Sequence, residues 1–450
     1  MSGPTVAVIG GGVAGLSAAL ALRGRADVVV YEAAPAVGGK LRTGPLGLDE
    51  GAESFLARVP EASALALELG LPTVHPATSS ASVWVGGRLV PLPRGMVMGV
   101  PGDLRAAAPV LGPLGTARAA LDLVLPASPP AADDVAVGAW VRRRLGARAV
   151  DRLVDPLLGG VYAGQSDLLS LQATVPQLRP ALGQRSLLRA ASRLAPAPLG
   201  AGTPPAPVFS TVHAGLGTLP GAAAVASGAQ LRTASPVRSF IKQDVGWVVD
   251  GERYDAVIVA VPSAPAERLL TAVVVGGVPV VEYASVALAT FVFPDDVVLP
   301  PGSGLLVPPG ERRVMKAATF LSQKWAHVPG VVVRVSAGRF RDVRDLQRPD
   351  TELLGVLAAD LAEATGIRAR PVDASLARWG GALPQYRPGH LGRVAALRAR
   401  LPHGLAVCGA AWDGVGIPAC IRSGQTAAAA VLTMLDAAPG PRQGGYSEHG

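Results

Sequence analysis

Residues 5–43 read TVAVIGGGVAGLSAALALRGRADVVVYEAAPAVGGKLRT. Thr5 to Ile9 is an unbroken apolar run, the pattern of a strand buried on both faces. Gly10, Gly12 and Gly15 follow at G-x-G-x-x-G spacing, and Leu16 to Leu22, rich in Ala and Leu, predicts a helix. In such a turn the first glycine permits the tight bend, the second lets backbone approach a pyrophosphate, and the third lets helix and strand pack closely. The helix N-terminus adds unpaired N–H groups and a partial positive charge. A second strand, Val28 to Tyr31, ends in Glu32, which is spaced to bond the ribose hydroxyls of a nucleotide. Together these features predict a bound dinucleotide; the alternative is a purely structural βαβ turn.

A chain of 450 residues exceeds what one hydrophobic core serves, so two or three domains are expected. It is 49% hydrophobic and 16% charged, which is globular, and carries a net charge of +8. Only Lys40, Lys242, Lys316 and Lys324 are lysines, and the arginines are scattered rather than gathered in a stripe with aromatics, which argues against nucleic acid. Two cysteines, Cys408 and Cys420, are too few for a disulfide framework and wrongly spaced for zinc. The six histidines (His75, His213, His327, His390, His403 and His449) show no metal-ligand spacing, so no metal is expected. No Ser/His/Asp set sits in a nucleophile-elbow context, which argues against hydrolysis. A strand beginning five residues from Met1 leaves no room for a signal peptide, so a cytoplasmic location is expected. The apolar stretch 270–293 is broken by Gly276, Gly277, Pro279 and Glu282 and reads as two or three strands rather than a membrane helix.

Between Pro91 and Pro207 short helical stretches, such as 118–125 and 137–158, interrupt the strand patterns, which resume afterwards. A chain that leaves a nucleotide fold and returns to it has discontinuous domains. Three separated segments have nucleotide-fold character: the opening turn, a region around Val237, and Gly414 to Pro418 ahead of a long helix. An extended dinucleotide such as FAD needs several segments, whereas NAD sits on one continuous half. Backbone around Val237 would close over the adenine. The last turn would aim N–H groups at the edge of a flavin where negative charge develops on reduction. The tail 437–450 lacks apolar periodicity and is expected to be disordered.

The motifs GGGVAGLSAA…VYEAAPAVGGKLRT and DEGAESFLAR resemble the FAD-dependent amine oxidase superfamily. PLPRGMVMGVPGDL (91–104), DPLLGGVYAGQSDLLSLQATVPQL (155–178), TFLSQKW (319–325), RWGGALPQYRPGHLGRV (378–394) and GVGIPACIRSG (414–424) narrow the resemblance to bacterial coproporphyrinogen III and protoporphyrinogen IX oxidases. The resemblance implies an α/β fold: a Rossmann-type FAD-binding domain (1–57, 208–265 and 372–436), a mixed-sheet substrate-binding domain (58–92, 180–207 and 266–371), and an inserted helical domain (93–179). It implies non-covalent FAD held by Gly10, Gly12, Val13, Ala14, Gly15, Glu32, Ala33, Lys40, Gly51, Ala52, Glu53, Ser54, Val237, Trp379, Val415, Gly416 and Ile417. Cys420, beside the flavin helix, is expected to be a buried thiol.

The implied activity is oxygen-dependent oxidation of a porphyrinogen to a porphyrin in haem biosynthesis. Three rounds of hydride transfer from a meso carbon to flavin N5 remove six electrons and release hydrogen peroxide. The expected partners are the porphyrinogen, molecular oxygen and, transiently, another haem-pathway enzyme, with membrane contact at most peripheral. Coproporphyrinogen carries four propionates and protoporphyrinogen two; the arginine-rich chain and the lack of an anchor favour the first. Lys316 and Lys324 are candidate partners for substrate carboxylates. No acid or base is identified, and His390 and Tyr386 are the candidates. An amine oxidase or carotenoid desaturase on the same scaffold, and a flavin-bound delivery protein without turnover, are the alternatives.

Overall fold

The computed structural model describes residues 3–126, 132–195 and 207–437. The expected disordered tail therefore lies, from residue 438 onward, outside the described residues. Five parallel strands run in the order Gln230–Arg232, Asp27–Tyr31, Thr5–Ile9, Ala256–Val259 and Leu405–Val407. Thr5–Ile9 is central, and its side chains divide between two cores as expected for a strand covered on both faces. Val6 and Val8 pack with Leu16, Ala428 and Val431, while Ala7 and Ile9 pack with Trp247, Val257 and Trp412. Helix Val13–Ala21 follows the glycine turn and lies against the last helix, Ile417–Asp436. The approach is so close that a methyl on Gly424 would overlap the Ala14 carbonyl oxygen.

A second, mixed sheet of seven strands has the order Asp373–Pro384, Tyr283–Phe293, Val331–Ala337, Met315–Phe320, Gly304–Leu306, Ser82–Val85 and Arg88–Pro91. Phe291, Met315, Phe320, Val333 and Val335 on one face bury against Leu353, Leu357 and Leu361 of helix Asp350–Thr365. The cross-strand row Ser375, Thr290, Arg334 and Thr319 is polar. Two irregularities interrupt the ladders: one at Met315/Ala317, the other where Tyr283–Phe293 meets Asp373–Pro384. Helices Leu104–Ala120, Val137–Leu145 and Asp155–Tyr162 form a third body around Val110, Val141, Leu153 and Leu158. Among the described residues no helix is long and apolar enough to cross a membrane.

Three expectations are corrected. Residues 270–293 contain one strand, not two or three: Gly276 and Gly277 adopt φ of 85° and 80°, which breaks the valine run before the eleven-residue strand Tyr283–Phe293 begins. Strand Asp373–Pro384, assigned above to the nucleotide unit, pairs instead with Tyr283–Phe293 and belongs to the mixed sheet. Helix Leu187–Leu194, placed above with the substrate domain, packs into the helical body through Leu187, Leu188 and Ala191. The buried Asp122 carboxylate explains that attachment, because it accepts from Leu188 N (3.0 Å), Ser186 Oγ (2.8 Å) and Arg144 Nε (2.7 Å).

Gly424→Ala is expected to force the first and last helices apart and to cost about 1–3 kcal/mol in chemical denaturation. Gly355→Ala, on an exposed helical position with no atom near the added methyl, is expected instead to stabilise by about 0.5–1 kcal/mol.

Candidate active site

The three glycines of the opening turn do different work. Gly10 has a φ of 115°, and its N–H donates to Tyr31 O at 2.7 Å, which makes the bend. A methyl on Gly15 would overlap the Gly10 carbonyl oxygen, so this glycine serves helix-to-strand packing. Gly12 is needed for neither purpose. Its φ of −77° suits any residue, and an added Cβ would meet nothing within 4 Å. Its missing side chain leaves open space in front of a helix that begins without a side-chain cap. Glu32 closes the turn, accepting from Gly11 N and Ala34 N, each at 2.8 Å. The segment leading to Val237 is clipped to the same corner: Ser235 N donates to Glu32 O (2.9 Å) and Ala234 N to Ala34 O (2.8 Å).

The last helix repeats the arrangement. Gly416 precedes it with a φ of −67°, no side chain caps it, and Pro418 lies in its first turn. A Cβ on Gly416 would touch only the Pro418 ring, at 3.8 Å. Val13 and Ile417, the first residues of the two helices, pack in one apolar cluster with Leu41, so the two N-termini converge. Gly409 brings the turn before the last helix against Ala14. Two uncapped helix ends facing spaces that glycine leaves open fit the phosphates and the electron-rich edge of a flavin dinucleotide.

Residues 40–54 join the two sheets at this point. The Lys40 ammonium donates to Gly381 O (3.3 Å) and to Ala382 O, where Asp373–Pro384 leaves its ladder, and lies 5.3 Å from the Tyr283 ring centre. Burial pushes its pKa down. Trp379 Nε1 donates to Glu50 O at 2.7 Å, with the Arg42 guanidinium 4.9 Å from the Trp379 ring centre. Gly51 packs on Lys40 and Trp379. Ala52 is exposed and Ser54 half-buried beside it. Arg334, from the polar row of the second sheet, donates to Gly51 O (3.3 Å) and Asp49 O. Glu53 pairs with Lys324 at 2.5 Å and lies 3.7 Å from Arg334. Burial alone would raise the Glu53 carboxyl, but these two cations outweigh it and hold its pKa below the ordinary value.

Lys324 is therefore withdrawn as a partner for substrate carboxylates, since its charge is already met by Glu53. Arg334, Arg42 and Asp49 were missed. Their only trace was a lone arginine in an apolar strand and two charges in a loop, and their contacts cross hundreds of residues.

The two acid–base candidates are tied to backbone. His390 is buried; its Nε2–H donates to Trp412 O at 3.0 Å, and burial lowers its pKa. The Tyr386 hydroxyl donates to Ala410 O, and its ring stacks on His390 with centroids 4.5 Å apart. Both therefore brace the turn 409–413 that carries the last helix. Cys420 is buried, its Sγ donates to Gly414 O at 3.5 Å, and burial pushes its pKa up to about 12. Among the described residues no group of acidic, histidine or cysteine side chains could hold a metal.

Comparison with known proteins places the chain among flavin-dependent oxidoreductases. A curated coproporphyrinogen III oxidase of Mycobacterium leprae is 37% identical, aligned over 94% of this chain and 96% of its own length. The protein of the same name from Bacillus subtilis is 31% identical, over 96% and 98%. A solved Exiguobacterium structure carrying a provisional protoporphyrinogen oxidase name superposes with a TM-score of 0.84 at 29% identity, covering 96% of this chain and 99% of the other. The family model for flavin-containing amine oxidoreductases matches residues 13–432. The chain belongs to the flavin-containing amine oxidoreductase family.

Proposed function

We propose that this chain is an oxygen-dependent FAD oxidase that converts coproporphyrinogen III to coproporphyrin III. The observation that carries the reading is the likeness, over nearly the full length of both chains, to curated oxidases of that name. When bound, FAD supplies a two-electron acceptor for hydride from a meso carbon, with oxygen as the final oxidant. Three rounds would remove three meso hydrides and three N–H protons, and a tautomerisation that moves one proton from the last meso CH2 to nitrogen completes the porphyrin, so that four meso and two N–H hydrogens are lost in all and aromatisation drives the sequence. Orientation of the macrocycle then matters more than any single acid or base.

In this reading the N–H groups of Gly12, Val13 and Ala14 receive the pyrophosphate, Gly10 and Gly15 set their position, and Glu32 holds the ribose. Ala33 and Val237 border the adenine. Val415, Gly416 and Ile417 present N–H groups and a helix N-terminus to the flavin edge that gains negative charge. Lys40, Trp379 and residues 51–54 wall the same end. The bracing by His390 and Tyr386 keeps the last turn aimed. Buried Cys420, with its raised pKa, carries no thiolate for a covalent flavin bond, which supports non-covalent cofactor. Two buried free thiols suit a reducing, cytoplasmic setting.

Kinetics on the two porphyrinogens test the substrate. The flavin-loaded chain is expected to show kcat/KM at least about tenfold higher on coproporphyrinogen III, because protoporphyrinogen lacks two carboxylates that charge-assisted bonds can grip. Equal or reversed values would assign it to protoporphyrinogen. Gly12→Val tests the cradle. The variant is expected to melt as the apo wild type does, yet to take up no FAD on reconstitution; normal flavin absorbance in it would remove Gly12 from the site.

A further inference from the structure

Lys316 is the extra residue of a β-bulge. Met315 pairs with Ala337 and Ala317 with Ser336, which are neighbours, so Lys316 stands between them unpaired in the ladder. Bulges of this kind re-aim a side chain, and they gather next to active sites. The lysine is 7% accessible; its backbone carbonyl accepts from Val307 N at 2.8 Å, but among the described residues its ammonium makes neither a hydrogen bond nor an ion pair. A buried ammonium without a counter-ion is costly. Burial first, and the Arg339 charge second, push its pKa down to about 7.

Arg339 does not relieve that cost. Its guanidinium donates to Arg313 O (3.0 Å), Val307 O (3.2 Å) and Met315 O (3.5 Å), all neutral acceptors, so a second cation is fixed beside the first. The surrounding carboxylates are engaged elsewhere. Asp155, at the start of helix Asp155–Tyr162, accepts from Ser166 N at 2.9 Å. Asp360, on helix Asp350–Thr365, accepts from Met315 N at 2.9 Å and faces Arg313 at 3.8 Å. Asp342 acts on Arg339 only at a distance.

The place adjoins the cofactor end. Helix Asp155–Tyr162 crosses strands Gly304–Leu306 and Met315–Phe320, and Gly160 and Val161 at its end are exposed. Phe340, next to Arg339, donates its N–H to Ala163 O at 2.7 Å and packs in one cluster with Ala163, Ala382 and Trp379.

We propose that Lys316, backed by Arg339, forms an anion subsite where helix Asp155–Tyr162 crosses the mixed sheet, and that it receives one propionate of the porphyrinogen. The proposal rests on the substrate assigned above.

The test uses the flavin-loaded full chain and two probes: coproporphyrin III, which keeps the four propionates, and its tetramethyl ester, which has no charge to offer. Lys316→Met is expected to weaken coproporphyrin III binding about ten- to a hundredfold while leaving the ester unaffected, and Lys316→Arg to restore most of the affinity. The Met variant should also melt higher than wild type. A lysine whose folded pKa is depressed costs stability in full below about pH 7, and the cost fades as pH rises toward the ordinary 10.5, so the gain should be largest in the acid half of that range. Unchanged coproporphyrin affinity in Lys316→Met, or a Met variant that melts early or loses flavin, overturns the subsite while wild-type turnover of coproporphyrinogen leaves the reaction standing. A wild type that neither binds nor oxidises that substrate overturns the reaction, and the subsite with it.

Discussion

The constraint on which the structure turns is the convergence of two helix starts, those of Val13–Ala21 and Ile417–Asp436, each uncapped by a side chain and each opening onto space that a glycine leaves free. A helix start leaves four backbone N–H groups without partners, and natural sequences usually meet some of them with Ser, Thr, Asp or Asn. Gly12 and Gly416 stand at those positions instead, and neither supplies a side-chain acceptor. The unmet donors are brought together because Gly424 lets the last helix settle on the first, and because Val13 and Ile417 share one apolar cluster. The parallel sheet supplies rigid attachment points, with strands from the beginning, middle and end of the chain.

The second sheet is joined to this arrangement by charge and backbone rather than by a large apolar face. Lys40 reaches from the nucleotide unit to carbonyls freed by a ladder irregularity, and Arg334 reaches back to carbonyls at Asp49 and Gly51. Glu53 balances Lys324 and Arg334 in the same seam. Removing one partner from such a buried set leaves an uncompensated charge, which is far costlier than losing an exposed pair. The loop 49–54 is thus held from both sides, and any cofactor that touches it is positioned relative to the sheet that would carry the substrate.

Legibility in the sequence followed the range of the physics. The opening turn was readable because its demands are local: Gly10 bends and Gly15 packs within ten residues of each other. The terminal helix and its glycine start were readable for the same reason. Family motifs extended the reading to Lys40, Trp379 and residues 51–54. Strand membership was less readable. The pattern of 373–384 marks a strand but says nothing about which sheet accepts it, and the valine-rich 270–293 stretch hides two left-handed glycines that end one element and delay the next. The fate of Lys324 could not be read at all, since its partner lies 271 residues away. Lys316 was recognised as a cation, but the bulge that turns it depends on the register of two strands.

The parallel sheet also sets an order of events in synthesis. Thr5–Ile9 leaves the ribosome first, yet a neighbour in its sheet, Ala256–Val259, emerges some 250 residues later, and the edge strand Leu405–Val407 and the helix that completes the cradle come near the end. At the usual pace of elongation that interval lasts tens of seconds, during which Thr5–Ile9 has Asp27–Tyr31 on one side but nothing yet to pair with on the other. The pair of converging helix starts is complete only once Ile417–Asp436 has been made, so the cradle closes late in the chain's synthesis.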